Sequence, residues 1–268
     1  MSTRIHPTAI VAPGAELGAN VSVGPYSIIE DNVRLGEDCV VDSLVRLCSY
    51  TEVGRGCHLY HGAVLGEVPQ DAKFKGEVSH LKVGEENHIR EYATIHRASG
   101  EGESTIVGSH SLFMAYSHVG HNARVGDGIL LASYAGVSGH CVVEDYANIA
   151  GLVGIHQYTV IGTLAMIGGM SRVVTDIPPY CMAQGNPSEL HGLNYRGLIR
   201  REFSDETRSA LKQAYRRLFR TNDTTEEAVA RIRAEVKLTP EVERLVSFQL
   251  AVAEGYAGRQ LDPHGQKH

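Results

Sequence analysis

The stretch NARVGDGILLASYAGVSGHCVVEDYANIAGLVGI, residues 122–155, carries an aliphatic residue at every sixth position. These residues are Val125, Leu131, Val137, Val143, Ile149 and Ile155. The same phase extends in both directions, since every sixth residue is apolar from Ile5 to Leu65, from Val83 to Ile95 and from Val107 to Val173. A fixed period kept over so much of a chain indicates a repeat architecture in which each repeat is one structural unit.

Inside each six-residue repeat, small and large side chains alternate. The residue two positions before the aliphatic one is usually small, as at Ala123 and Ala135, and glycine often follows the aliphatic one, as at Gly126. Alternation with a period of two predicts short β-strands, because successive side chains of a strand point to opposite faces. Three such strands make one triangular coil of about 18 residues, and stacked coils hydrogen-bond at a spacing of about 4.8 Å. The pattern therefore predicts a parallel β-helix.

The repeat is interrupted twice, at residues 66–82 and 96–106. Its phase survives both interruptions, so we predict loops that protrude from the β-helix rather than linkers between domains. After DIPPYCMAQGNP (176–187) the repeats stop, and segments with helical spacing of apolar residues follow, the first with Ser204 as its predicted N-cap. We therefore predict two domains, a β-helix over residues 1–187 and a small α-helical domain over residues 188–268.

The composition argues against several classes of protein. The chain has 268 residues and a formal net charge of -6, which gives no support to nucleic-acid binding. Its five cysteines form no CxxC motif, so we expect reduced thiols rather than a disulfide framework. No stretch is apolar for long enough to be a signal peptide or a membrane span. We predict a cytoplasmic protein without nucleic-acid binding or membrane insertion.

Several histidines converge when the chain is folded with 18 residues per coil. Residues 18 apart then lie above one another, so that Gly139 stacks on His121 and His140 stacks on Asn122. Glycines around them leave space and exposed backbone N–H groups. The residues that this folding brings to one edge are His118, His121, Asn122, Gly139, His140, His156 and Gln157, with glycines 120, 136, 151 and 154 beside them. Such a cluster is typical of a catalytic or ligand-binding site.

The repeat resembles that of the hexapeptide-repeat acyltransferases, whose β-helix is left-handed and whose members are usually homotrimers. Within this class, GEVPQDAKFKGE (66–77), SHVGHNARVG (117–126) and GIHQYTVIG (154–162) are similar to motifs of the UDP-N-acetylglucosamine acyltransferases. The similarity continues through GLNYRGLIRREF (192–203) and so spans almost the whole chain. It implies transfer of a (3R)-3-hydroxyacyl group from acyl carrier protein to the 3-position of UDP-N-acetylglucosamine, the first step of lipid A synthesis, without a cofactor.

The resemblance also implies roles for individual residues. His121 matches a general base, for which an imidazole is suited near neutral pH, and the backbone N–H of Gly139 matches the oxyanion donor, so no acyl-enzyme is required. Asp71 and Lys73 match loop residues that reach the site from a neighbouring subunit. Gly169 matches a position where bulk shortens the accepted acyl chain, which predicts tolerance of a longer chain. The remaining predicted substrate-binding residues are His118, His140, Gly151, His156, Gln157, Asn194, Arg200 and Arg201.

Two residues depart from the family pattern. Asn122 stands where many relatives carry aspartate, a residue that orients and supports the basic histidine. Asn122 can still accept a hydrogen bond, so it is a candidate to orient His121, but it brings no negative charge. Two alternatives follow: His121 is a weaker base than in those relatives, or another residue orients it. Arg196 stands where relatives often carry glutamate near the nucleotide, which leaves the nucleotide contacts at this position open.

A basic cluster near the start of the predicted helical domain favours an acidic partner. Between residues 194 and 220 there are 8 arginine and lysine residues and 3 acidic ones, a local charge of +5 on a chain whose overall charge is -6. This excess suits acyl carrier protein, through electrostatic steering and phosphate pairing.

Three alternatives remain open at this point. Oxygen and nitrogen nucleophiles need nearly the same site, so the acceptor could also be the 3-amino analogue of the sugar nucleotide. Three histidines on neighbouring coils could hold zinc in a hydratase or lyase, as in the carbonic anhydrases that share the repeat. Those enzymes, however, place two ligands on one coil at a wider spacing than that of His118 and His121, so we predict no metal. The third alternative is a non-catalytic scaffold.

Overall fold

The computed structural model describes residues 3–255 and 258–263. In this part of the chain the strands form three sheets, of eleven, nine and eight strands, and successive strands in the β-helix fall on different sheets. We call these sheets faces A, B and C, in the order in which the chain first visits them. All pairings are parallel except the last pair on face A. The arrangement is the triangular parallel β-helix that the six-residue period predicts.

Most strands contain two residues, and they are longer beside the two loops and at the end of face A. Face A comprises Arg4–Ile5, Ser22–Val23, Val40–Val41, His58–Leu59, His88–Ile89, Leu112–Phe113, Leu130–Leu131, Asn148–Ile149, Met166–Ile167, Cys181–Gly185 and Ser188–Leu193. Face B comprises Ile10–Val11, Ile28–Ile29, Arg46–Leu47, Val64–Glu67, Thr94–His96, His118–Val119, Gly136–Val137, Gly154–Ile155 and Arg172–Val173. Face C comprises Glu16–Leu17, Arg34–Leu35, Thr51–Val53, His80–Val83, Ser104–Val107, Arg124–Val125, Val142–Val143 and Val160–Ile161.

The register explains why the phase of six survives both loops. Away from the loops, paired residues are 18 apart, as in Val119↔Val137. Across the first loop Val64 pairs with Thr94, a separation of 30, and across the second Thr94 pairs with His118, a separation of 24. The insertions of 12 and 6 residues are whole multiples of the repeat. Because strand residues flank each loop, the predicted loop boundaries of 66–82 and 96–106 are too wide.

The aliphatic residues at the six-residue period form one continuous core inside the β-helix. Leu47, Leu59 and Ile149 have no exposed surface, and Phe113 is 1% exposed. Ile5 is the exception, at 47% exposed, because it lies in the first coil, which pairs on one side only among the described residues. The five cysteines are free and buried, as expected from the composition.

The end of face A differs from the predicted domain boundary. Cys181–Gly185 and Ser188–Leu193 form an antiparallel hairpin that extends the sheet past residue 187. Four α-helices follow. They are α1 (Tyr195–Arg200), α2 (Asp205–Phe219), α3 (Thr225–Glu235) and α4 (Pro240–Ala253), and a 3-10 helix covers Gly258–Leu261.

Side-chain caps define the starts of these helices. The Ser204 hydroxyl accepts a hydrogen bond from the N–H of Thr207 at the start of α2, which confirms the predicted N-cap. Thr224 and Glu227 form a reciprocal capping box at α3. The helices pack around a second core, in which Leu211, Ile232 and Leu245 contact a cluster that includes Leu164 and Tyr180 of the β-helix side. The helical domain therefore packs on the last coils.

Among the described residues, none of the helices has the length and apolar character needed to cross a bilayer. The cytoplasmic location stays a prediction.

Replacing Phe113 by alanine is expected to lower the free energy of unfolding by about 3–5 kcal/mol, because it empties a fully packed position inside the coil. Chemical denaturation measures the change. Arg124→Ala, on the exposed outer side of face C, is the control and is expected to change stability by less than about 0.5 kcal/mol. Equal losses in the two variants would contradict the assignment of Phe113 to the core.

Candidate active site

The corner between faces B and C carries a column of polar side chains. The backbone N–H of His140 donates to the carbonyl of His121 at 3.0 Å, and that of Tyr158 donates to the carbonyl of Gly139 at 3.2 Å. Asn122, His140 and Tyr158 have φ of 57°, 60° and 64°, the left-handed conformation that turns the chain at this corner. The ring of His140 stacks on that of Tyr158 with centroids 4.6 Å apart. The predicted stacking of residues 18 apart is therefore present.

Gly139 lies directly against the imidazole of His121. A Cβ atom at position 139 would lie 2.7 Å from Nε2 of His121, so any side chain here would displace the ring. In the described part of the chain, no acceptor is recorded for the backbone N–H of Gly139. An unpaired N–H beside an imidazole nitrogen is suited to bind a developing oxyanion.

Asn122 determines which nitrogen of His121 carries the proton. The N–H of Ser99 donates to Oδ1 of Asn122 at 2.9 Å, and Nδ2 of Asn122 donates to the carbonyl of Ser99 at 3.0 Å. These two bonds orient the amide, so its oxygen is the atom that faces Nδ1 of His121 at 2.9 Å. Nδ1 must then donate, which leaves Nε2 with a free lone pair on the side of Gly139. This is the tautomer that a general base requires.

Asp71 approaches the same histidine through Ser99. Its Oδ2 accepts a hydrogen bond from the Ser99 hydroxyl at 3.0 Å, and its Oδ1 accepts from the backbone N–H of Lys73 at 2.9 Å. The Lys73 N–H, the Ser99 hydroxyl and the nearby His121 hold the pKa of Asp71 below its usual value. Asp71 and Lys73 therefore lie beside His121 and His140 of their own chain. That they reach the site of a neighbouring subunit stays a prediction.

His118 is a neutral, half-buried neighbour of His121. Its Nδ1 lies 2.7 Å from the Thr94 hydroxyl, and its ring meets that of His96 edge to face with centroids 4.9 Å apart. Burial, with smaller contributions from His96 and His121, lowers the pKa of His118 to about 4. Burial also lowers the pKa of His96, which is only 6% exposed, and that of His140. Three imidazoles around His121 are thus uncharged at neutral pH.

His96 was missed by the sequence analysis. His96 lies in the same strand as Thr94, which pairs with His118. The two paired residues are 24 positions apart because of the second loop. A count by 18 does not bring it to the site, whereas a count that includes the six inserted residues places it beside Gly120. Ser99 lies inside the loop itself, where no periodicity marks it.

His156 and Gln157 lie one coil above Ser138 and Gly139. His156 is exposed, and its Nδ1 lies 3.3 Å from the carbonyl of Gln157. The side-chain Nε2 of Gln157 donates to Asp262 at 3.3 Å. The C-terminal segment of the described chain therefore reaches the predicted site, which the sequence analysis did not anticipate.

The glycines of the predicted site lie in two separate places on the β-helix. Gly136 and Gly154 pair with His118 and with each other on the outer side of face B, and a Cβ at either would meet no atom within 4 Å. They leave an open strip beside His118. Gly151 and Gly169 lie instead at the corner between faces A and B, so the placement of Gly151 at the histidine edge was wrong. A Cβ at Gly169 would lie 3.4 Å from the carbonyl of Gly151.

Asn194, Arg200 and Arg201 lie at the third corner, between faces C and A. Asn194 caps α1, and its Nδ2 donates to the carbonyl of Leu164 at 2.9 Å. The guanidinium of Arg201 covers the ring of Tyr146, 3.3 Å from its centroid. With Arg196, these residues line a cavity of about 660 Å³. One chain therefore does not bring them to His121.

Much of the local positive charge beyond residue 204 is paired within the chain. Arg208 contacts Asp205 and the carbonyl of Phe203, and Arg217 pairs with Glu235. Arg220 donates to the carbonyl of Leu190. Lys212 and Arg216, in contrast, are exposed on α2. Arg200 at the end of α1 and its C-cap Arg201 are exposed as well. The charge available to a partner is smaller than the count of +5 indicates.

A β-helix of six-residue repeats with a histidine facing a backbone N–H at its corner is the architecture of a hexapeptide-repeat acyltransferase. A family model described as UDP N-acetylglucosamine O-acyltransferase, domain 2, matches residues 176–257. The chain is 45% identical over 245 residues to the acyl-[acyl-carrier-protein]–UDP-N-acetylglucosamine O-acyltransferase of Thermodesulfovibrio yellowstonii, with 91% of this chain and 95% of that protein covered. The enzyme of the same name from a Sulfurihydrogenibium species is 49% identical over 254 residues, with 94% of each covered.

Solved structures agree with these relatives. LpxA from Acinetobacter baumannii has a TM-score of 0.88 at 36% identity, with 92% of this chain and 96% of that one covered. LpxA from Bacteroides fragilis, a UDP-N-acetylglucosamine acyltransferase, has a TM-score of 0.89 at 36% identity, covering 91% and 95%. The chain belongs to the family of acyl-[acyl-carrier-protein]–UDP-N-acetylglucosamine O-acyltransferases. The predicted fold class, a left-handed parallel β-helix of hexapeptide repeats followed by a small α-helical domain, is confirmed.

Protonation of His118 is expected to destabilise the folded chain in acid. Its folded pKa of about 4 lies below the unfolded value of 6.5, so below pH 6.5 the unfolded chain binds a proton that the folded chain does not. Stability is then lost as the pH falls from 6.5 towards 4, by on the order of 3 kcal/mol. His118→Gln should reduce this loss in denaturation series at several pH values. His6→Gln, at an exposed position, is the control, and an unchanged acid dependence in His118→Gln would contradict the prediction.

Proposed function

We propose that this acyltransferase moves a (3R)-3-hydroxyacyl group from acyl carrier protein to the 3-hydroxyl of UDP-N-acetylglucosamine, with His121 as general base. The hydrogen bond between Nδ1 of His121 and Oδ1 of Asn122 carries the proposal, because it leaves Nε2 unprotonated beside Gly139. The names of the relatives supply the two substrates. The cofactor-free chemistry follows from the donor, which is already activated as a thioester.

The reaction needs two proton transfers, one from the sugar hydroxyl to His121 and one from His121 to the leaving thiolate. Nε2 of His121 removes the proton of the sugar hydroxyl as the oxygen attacks the thioester carbonyl. The tetrahedral oxyanion accepts a hydrogen bond from the N–H of Gly139. When the intermediate collapses, the carbon–sulfur bond breaks and the imidazolium returns the proton to the leaving thiolate. The sugar oxygen attacks directly, so the mechanism has no acyl-enzyme.

The described chain supports this direct attack in a second way. Its five cysteines are buried, and burial raises the pKa of Cys141, which lies next to His140 in sequence, to about 12. The Cys141 thiol donates to the carbonyl of His156. A thiol held in this way is a poor nucleophile.

We also propose that two subunits of a homotrimer complete each site. His121 lies at the corner between faces B and C, whereas Asn194, Arg200 and Arg201 lie at the corner between faces C and A. A neighbouring subunit that presents its second corner to the first would bring the two sets together. Cationic groups there would pair with the phosphates of the nucleotide and of phosphopantetheine, and with acidic acyl carrier protein. A longer acyl chain over Gly169 stays a prediction.

Replacing His121 by alanine is expected to lower kcat/KM for acyl transfer by about 10²–10⁴, because the base is lost. Transfer from hydroxyacyl carrier protein is measured with UDP-N-acetylglucosamine and, in parallel, with its 3-amino analogue, and metal analysis of chelator-free protein tests the zinc alternative. No group of three or more potential ligands for a metal ion occurs in residues 3–255 and 258–263. His6→Ala, at an exposed position in the first coil, is the control and should retain activity. Near-normal transfer by His121→Ala would refute the proposal.

Replacing Asn122 by aspartate is expected to strengthen the base. A carboxylate at 2.9 Å from Nδ1 would favour the imidazolium form of the ring over the neutral form. Because the neutral form is the active one, the acid limb of the kcat/KM profile should move to higher pH by on the order of one unit. The activity plateau above that limb should rise. Asn122→Ala, which frees both His121 and Ser99, should only lose activity, and an acid limb unchanged in Asn122→Asp would exclude this role of residue 122.

A further inference from the structure

The C-terminal segment 258–262 is attached to the β-helix beside the candidate site. The backbone N–H of Arg259 donates to the carboxylate of Asp176 at 3.1 and 3.2 Å, and Nε of Arg259 donates to the carbonyl of Val174 at 3.2 Å. Gly258 has φ of +76°, and a Cβ there would collide with Asp176. The segment is therefore seated on the last coil through contacts that only this backbone allows.

Asp176 is a suitable anchor because it is itself held by the coil. Its Oδ1 accepts the backbone N–H of Val160 at 2.8 Å. Burial raises the pKa of Asp176, and the N–H groups of Val160 and Arg259 and the Arg259 guanidinium oppose that rise. Removing the segment would leave this carboxylate with fewer donors, so the contact is favourable to both sides.

Gln157 is held by this segment at both its backbone and its side chain. Nη1 of Arg259 donates to the carbonyl of Gln157 at 3.0 Å, and Nε2 of Gln157 donates to Oδ2 of Asp262 at 3.3 Å. The same Arg259 nitrogen pairs with Oδ2 of Asp262 at 2.6 Å. Asp262 is only 3% exposed, so this ion pair is shielded from water. Gln157 belongs to the column of His121 and Gly139, one coil above the latter.

The chemistry of Asp262 decides the orientation of the Gln157 amide. A carboxylate accepts hydrogen bonds and cannot donate them, whereas a free glutamine amide can turn either end towards a ligand. With its NH2 group on Asp262, Gln157 must direct its amide oxygen elsewhere. No partner of that oxygen is recorded among the residues that the structure describes.

We propose that Asp262 and Arg259 are positioning residues that orient Gln157 so that its amide oxygen accepts a hydrogen bond from the bound sugar nucleotide. The matching group on the ligand is a donor, either a sugar hydroxyl or the acetamido N–H. This inference rests on the proposed function, which identifies the ligand. Neither Asp262 nor Arg259 contacts the reacting atoms.

A double-mutant cycle tests the coupling between Asp262 and Gln157. Asp262→Ala is expected to raise KM for UDP-N-acetylglucosamine about tenfold while kcat changes by less than about twofold, because the lost interaction is one of binding. In a Gln157→Ala background, the same substitution should have no further effect on KM. Gln260→Ala is the matched control, since Gln260 lies in the same segment but its side chain donates to the carbonyl of Val252 of α4 rather than to Gln157.

The outcomes separate this inference from the proposed function. An unchanged KM in Asp262→Ala, or equal effects of Asp262→Ala with and without Gln157, would overturn the positioning role while transfer by the wild-type chain upheld the function. A wild-type chain that transfers no acyl group would overturn the function and this inference with it. If Asp262→Ala does not fold, Asp262→Asn replaces it, because it keeps the shape of residue 262 and loses the charge. It should raise KM by a smaller factor, and an unchanged KM in this variant would also overturn the inference.

Discussion

The structure depends on the parallel hydrogen bonding of successive coils. Backbone N–H groups of the strands donate to carbonyls of the neighbouring coils, as that of His118 does to Ala135, so residues 18 apart are held above one another, as in Val119 and Val137. The small and aliphatic residues at fixed phase form one continuous core inside the β-helix, and the corner residues repeat in columns outside it. A site on this scaffold therefore requires suitable residues at stacked positions of successive coils, which together form one column. The column His121, Gly139 and Gln157 meets that requirement.

Precision at the base comes from outside the repeat. The corner backbone sets the place of His121, whereas Asn122 and the loop residue Ser99 set its tautomer through two reciprocal bonds. The second loop is thus part of the candidate active site, and so is Asp71 of the first loop through the Ser99 hydroxyl. Loop insertions in multiples of six leave the column intact while they add these contacts. The coil thus sets the position of the imidazole, and the loops set its orientation.

Electrostatics around His121 favour a neutral site. Burial lowers the pKa values of His96, His118 and His140, so none of these rings competes with His121 for a proton near neutral pH. Asp71, whose pKa is held low, is a negative charge near His121. Asn122 adds none, so its hydrogen bond orients the His121 ring without placing a charge beside it. The C-terminal segment likewise adds no charge to the ligand contacts, because the buried Asp262 bonds to Gln157 and orients its amide.

The amino-acid sequence by itself determined the coil, its register and the stacking of Gly139 on His121. The reason is that the six-residue period and its phase can be read directly from the order of residues. It also predicted Ser204 as a cap, since capping depends on a few neighbouring residues. Only the tertiary structure decided that Asp71 approaches His121 of its own chain, that Gly151 and Gly169 lie at a different corner, and that Arg208 and Arg217 are paired. It alone brought His96, Ser99 and Asp262 to the site. These placements depend on where the loops and the C-terminal segment pack. The contacts involved join residues that are far apart in the sequence, and no repeating pattern marks them.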